Sequence, residues 1–102
     1  MNENDIIKRF VNEFCLKADL KEQELKGKIT DNLLIKIRYL LVDAIYSKYQ
    51  TFLSYKMISD YFERSATYAF KACIEGQDLI ASRDPFALSI KDILNTIEVN
   101  YG

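Results

Sequence analysis

The chain has 102 residues, 49% of them apolar, with a net charge of −1 and no histidine. That is the length of one domain with enough apolar material for a packed core. No apolar run reaches the ~18 residues of a membrane span, and the charge balance carries no overall basic excess to hold phosphates.

Other absences narrow the function classes. The commonest general base and metal ligand is missing, and the three glycines are scattered (Gly27, Gly76, Gly102), so there is no phosphate-binding loop. Cys15 and Cys73 stand apart and form neither a zinc motif nor a disulfide framework. Met1 to Asp5 are polar and acidic, unlike a signal peptide. The expectation is a cytoplasmic, non-enzymatic binding domain with no cofactor, no metal, no small-molecule substrate and no membrane contact.

In chain order, the first helix is expected from about Asp5 to Leu16, capped by Asn4 or Asp5. Ile6, Ile7, Phe10, Val11 and Phe14 give it one apolar stripe. A short helical turn follows Asp19, anchored by Leu20 and Leu25, and Lys26-Gly27-Lys28 reads as a loop. The strongest periodicity runs from Asp31 to Tyr49 through Leu33, Leu34, Ile37, Leu40, Leu41, Ala44 and Ile45, and predicts the central helix of the fold.

A short helix is expected from Tyr55 to Phe62, with Ser54 as its cap and Met57, Ile58, Tyr61 and Phe62 facing inward. Glu63, Arg64 and Ser65 form a tight connection, and Ser65 caps a fourth helix that runs to about Ser82. Its inner side is assigned to Ala69, Phe70, Ala72, Cys73, Leu79 and Ile80, with Ile74 outside. Gly76 within this helix costs about 1 kcal/mol relative to Ala, which predicts close packing against a neighbour. Asp84 and Pro85 punctuate the chain before a last helix carrying Phe86, Leu88, Ile90, Ile93, Leu94 and Ile97, with Ser89 as an alternative start. The fold class expected is all-α, a single domain over residues 1–102 with five or six helices.

Residues 54–82 read as a helix-turn-helix: a short helix, a tight turn and a longer helix. In that arrangement the first residues of the second helix face base edges in the major groove. Here they are Ser65, Ala66, Thr67, Tyr68 and Lys71. Within 54–82, Lys56, Arg64 and Lys71 are offset by Asp60, Glu63, Glu75 and Asp78. The expected phosphate contacts are Lys28, Arg38, Lys56 and Arg64, and about three to six such contacts support salt-sensitive binding.

The stretch from Ile35 to Phe86 resembles the C-terminal DNA-binding domain of the bacterial replication initiator DnaA, a Trp-repressor-like helical fold. Three segments carry the resemblance. Ile37-Arg38-Tyr39-Leu40-Leu41-Val42 stands where that family has Ala-Arg-Gln and then apolar residues. Leu53 to Phe62 resembles its first recognition-unit helix. Arg64-Ser65-Ala66-Thr67-Tyr68-Ala69-Phe70-Lys71-Ala72 occupies the place of its Arg-Asp-His-Ser/Thr-Thr-Val-Leu-His-Ala signature. Ser65-Ala66 replaces the family's Asp-His, Tyr68 its second Thr and Lys71 its later His.

The resemblance implies sequence-dependent binding of double-stranded DNA in replication initiation or transcription regulation. The other reading is a protein-interaction module with the same helical fold, using the surface around Tyr68 and Ile74. An acidic monomer binds DNA modestly, so a homodimer or a protein partner is expected to complete the assembly. A basic patch over Lys28, Arg38, Lys56, Arg64 and Lys71 favours DNA; a contiguous apolar patch favours a protein.

Overall fold

The computed structural model describes residues 2–99, and its regular elements are all helices. Helix α1 spans Glu3–Ala18. It starts earlier than expected because Asn2, not Asn4 or Asp5, is the cap: the Asn2 Oδ1 accepts from the Asp5 N–H at 2.9 Å. Ile6, Ile7, Phe10, Val11, Phe14 and Cys15 are buried along one stripe. The helix ends on Asp19, which adopts the left-handed conformation at φ 56°. A short 3-10 helix, Glu22–Leu25, then sinks the Leu25 side chain fully into the core.

Helix α2, Asn32–Tyr49, is capped by Asp31, whose Oδ1 accepts from the N–H groups of Leu33 and Leu34. Its buried residues wrap around much of the helix, as expected of an element with neighbours on several sides. Leu33 is an exception at 52% exposed.

Helix α3, Tyr55–Tyr61, is capped by the Ser54 hydroxyl, which accepts from the Met57 N–H. Of the residues expected to face inward, Ile58 and Phe62 are fully buried and Tyr61 is half-buried, while Met57 is 37% exposed. Ser59 joins the buried face.

Helix α4, Tyr68–Ala81, packs more extensively on α2 than any other pair of elements does on each other. The surface it offers α2 is made of small residues. Ala69, Ala72, Cys73 and Gly76 are buried at i, i+3, i+4, i+7 spacing, while Phe70, expected inside, is 52% exposed. Close approach is the physical reason. A Cβ on Gly76 would stand 2.9 Å from the Tyr39 carbonyl oxygen of α2, so this position has no room for a side chain. The Gln77 amide also donates to the buried Asp43 carboxylate of α2 at 3.1 Å.

Arg83, left-handed at φ 59°, turns the chain into α5, Pro85–Leu94. Asp84 is its cap, accepting from the Ala87 N–H at 2.9 Å, with Pro85 in the first turn. Ser89 lies inside the helix and caps nothing; its hydroxyl donates back to the Phe86 carbonyl. After α5, Ile97 and Val99 return to the core. The Val99 N–H donates to the Tyr49 hydroxyl at 3.1 Å, and the Lys48 ammonium donates to the Ile97 carbonyl. The Cα radius of gyration, 12.4 Å, matches the ~13 Å of a single packed domain of this length. No helix among the described residues is long and apolar enough to cross a membrane.

Candidate nucleic-acid interface

Between α3 and α4 the chain makes a double turn. Glu63 is left-handed at φ 59°, and the Arg64 N–H donates back to the Ser59 carbonyl. A second turn closes through the Tyr68 N–H and the Ser65 carbonyl, at 2.9 Å. The helices are therefore joined by six residues, Phe62 to Thr67, and not by the three expected.

The start of α4 is held from outside its own helix. Ser65, expected to be the cap, makes no side-chain hydrogen bond, and neither does Thr67, the residue that precedes the helix. The Ser59 hydroxyl of α3 takes over. Fully buried, it accepts from the Ala69 N–H at 2.9 Å and donates to the Ala66 carbonyl at 3.4 Å. One of the four unpaired N–H groups of a helix start is thus satisfied by a neighbouring helix. Sequence reading missed Ser59, because a serine between Ile58 and Phe62 carries no pattern that marks it as a cap for a distant helix.

Arg38 is the second support. It was expected to meet a phosphate, but it is only 4% exposed. From α2 its Nε donates to the Tyr68 hydroxyl at 2.7 Å, and its Nη1 donates to the carbonyls of Gly27 at 2.6 Å and Leu25 at 3.1 Å. The guanidinium carbon lies 4.8 Å from the Tyr68 ring centroid, and that of Arg64 lies 5.5 Å from it. Among the described residues no carboxylate pairs with Arg38; carbonyl dipoles and a phenol carry its charge. A planar fork of five donors can serve three acceptors on two separate segments, which an ammonium cannot do. Burial raises the Tyr68 phenol above its usual range, while Arg38 and Arg64 pull the other way.

The loop before α2 joins the same assembly. The Gly27 N–H donates to the Phe62 carbonyl at the end of α3, at 2.8 Å. This contact, with Gly27 left-handed at φ 69°, fixes Lys28 beside the α3–α4 turn. The sequence placed Lys28 in a loop but gave no sign of this anchor.

The expected basic patch is thus only partly assembled. Arg64, Ser65, Ala66, Thr67 and Lys71 are exposed around the first turns of α4, and Lys28 is exposed nearby. Among the described residues, the side chains of Lys28, Ser65, Thr67 and Lys71 have no hydrogen-bond or ion-pair partner, and Arg64 has only the Tyr68 ring. Lys56 is exposed but lies 2.9 Å from Asp60. Lys26 pairs with Glu22 at 3.1 Å and Lys36 with Asp84 at 2.7 Å. Tyr68 is half-buried, with its hydroxyl engaged. The part of α4 that is apolar and exposed is Phe70 and Ile74.

No cluster of metal-binding side chains occurs among the described residues. Both thiols are buried, and burial pushes Cys15 up to about 11 and Cys73 up to about 12, far from the thiolate needed for nucleophilic chemistry. No family model, no curated protein and no solved structure matches the chain.

Proposed function

We propose that the domain binds double-stranded nucleic acid, with Arg64, Ser65, Ala66, Thr67 and Lys71 at the contact. One observation carries this reading. Among the described residues, the Ser65, Thr67 and Lys71 side chains have no intramolecular polar partner and Arg64 has only the Tyr68 ring. They project from a helix start that two buried residues, Ser59 and Arg38, support. A fixed backbone presenting unspent polar groups is what base-edge contact needs, since groups already satisfied inside the protein cannot read a ligand. The likeness of Ile35 to Phe86 to the initiator's DNA-binding domain supports the same reading. A role in replication initiation or transcription regulation follows from that likeness alone.

The electrostatics make this a modest binder. Lys28, Arg64 and Lys71 are the exposed bases of the expected patch that have no ion-pair partner. About three phosphate contacts give a slope of log K against log salt of about −3.

The test is a fluorescence anisotropy titration of labelled mixed-sequence duplex at about 50 mM and about 200 mM salt, where phosphate contacts separate. Binding at the lower salt, weakened for every duplex by Arg64→Ala, supports the proposal. If the wild type is silent at high micromolar concentration, the domain does not take duplex DNA. The protein-interaction reading then takes over, and the exposed Phe70 and Ile74 already favour it.

A further inference from the structure

The outward face of α4 carries a feature that duplex binding does not use. Phe70 and Ile74, one helical turn apart, are 52% and 44% exposed. Phe70 is not a loose side chain. The Tyr55 ring meets it edge-on, with centroids 5.5 Å apart, and Tyr55 in turn stacks on Tyr46 of α2 at 4.1 Å. Phe70 therefore rests on a built aromatic stack.

The charges along the stripe identify that partner. Lys71 and Asp78 are both exposed, and neither has an ion-pair partner among the described residues. Counted around the helix from Phe70, Lys71 lies at about 100° and Asp78 at about 80°, on the same flank, with Ile74 between them in height. When two copies of one helix pack antiparallel about a two-fold axis, each flank meets the same flank of its mate with the residue order reversed. An axis passing beside Ile74 sets Lys71 of each copy against Asp78 of the other.

We propose that the Phe70–Ile74 face of α4 docks a second copy of this chain, in an antiparallel α4–α4 pairing closed by two symmetric Lys71–Asp78 ion pairs. Lys71 near one end of the stripe and Asp78 near the other make that flank complementary to itself, with Glu75 farther round the helix at about 140° from Phe70. The contact area of two such helices is small, so the dimer has a Kd of about 1–100 µM. The inference stands independently of duplex binding, but Lys71 belongs to both faces, so a duplex and a second copy compete for it.

Sedimentation equilibrium of the full chain without nucleic acid, from about 5 to about 300 µM, tests it across that Kd range. The expected result is a monomer–dimer equilibrium, abolished by Ile74→Glu with unchanged helical circular dichroism. Lys71→Asp and Asp78→Lys, each alone, place like charges across both contacts and weaken association about tenfold. The double variant Lys71→Asp/Asp78→Lys restores it. A wild type that stays monomeric throughout leaves the face to a different protein and overturns the proposal. So does a dimer indifferent to Ile74→Glu, or a double variant as weak as the single ones.

Discussion

The Arg38 guanidinium and the Tyr68 hydroxyl, 2.7 Å apart, join the middle of α2 to the first residue of α4. The same guanidinium reaches the Leu25 and Gly27 carbonyls, so one buried cation fixes the loop before α2 and the start of α4 together.

Arg38→Ala should therefore destabilise the fold by about 3 kcal/mol, because it strips the partner from the buried Leu25 carbonyl and the part-buried Gly27 carbonyl and empties a packed site. Arg38→Lys should recover little of this, since one ammonium cannot span three acceptors. Tyr68→Phe removes one bond and should cost about 1–2 kcal/mol. Urea unfolding of the three variants checks the order; a full rescue by lysine contradicts it.

Ser59→Ala is expected to cost about 1–3 kcal/mol, because it leaves the buried Ala69 N–H without an acceptor. Its signature is local. Hydrogen exchange at the Ala69 amide should accelerate more than exchange in the middle of α4. Ser65→Ala, at the residue the sequence suggested as the cap, should leave stability unchanged.

At Gly76 two effects oppose each other. Helix propensity favours alanine by about 1 kcal/mol. The new Cβ, however, meets the Tyr39 carbonyl oxygen at 2.9 Å, and backbone on backbone cannot yield cheaply. Overpacking typically costs about 1–3 kcal/mol, so Gly76→Ala should lower the melting temperature. A higher melting temperature would mean that α2 and α4 are less closely apposed than described.

The Asp84 carboxylate is held below the usual carboxylate range by the Lys36 ammonium and by the Ala87 N–H it caps. A depressed folded-state value stabilises the fold fully above the unfolded value, about 3.9. That contribution disappears as the pH falls through the lower folded value. The stability gap between wild type and Asp84→Asn should thus be constant from about pH 5 to about pH 8 and should close on further acidification. A gap that widens in acid reverses the assignment.

Much of the fold is legible in the residues. Periodicity located α1 and α2, and turn chemistry located the caps at Ser54 and Asp84. What misled was the equation of bulk with burial. Phe70 was assigned inward for its size, but α4 approaches α2 so closely that small residues hold the inner arc. Arg38 shows the converse. Its charge suggested the surface, yet its spacing from Leu41, Val42 and Ile45 places it on the buried arc, and that signal was readable. At the candidate interface, helix order suffices to suggest Arg64, Thr67 and Lys71, which are exposed, while the supports beneath them depend on pairings between distant segments that periodicity does not encode.

The bonds from Tyr49 to Val99 and from Lys48 to Ile97 bear on how the chain acquires its structure. Each spans about half the sequence, and Val99 shares a shallow hollow with Arg9, Asn12 and Glu13 of α1. Helix α1 thus meets some of its neighbours only after residues 97–99 have been made. During synthesis, the part of α1 around Arg9, Asn12 and Glu13 waits uncovered. Closure of long loops is slow relative to helix formation, so α1 should stay open to chaperones and proteases on the nascent chain until those residues arrive.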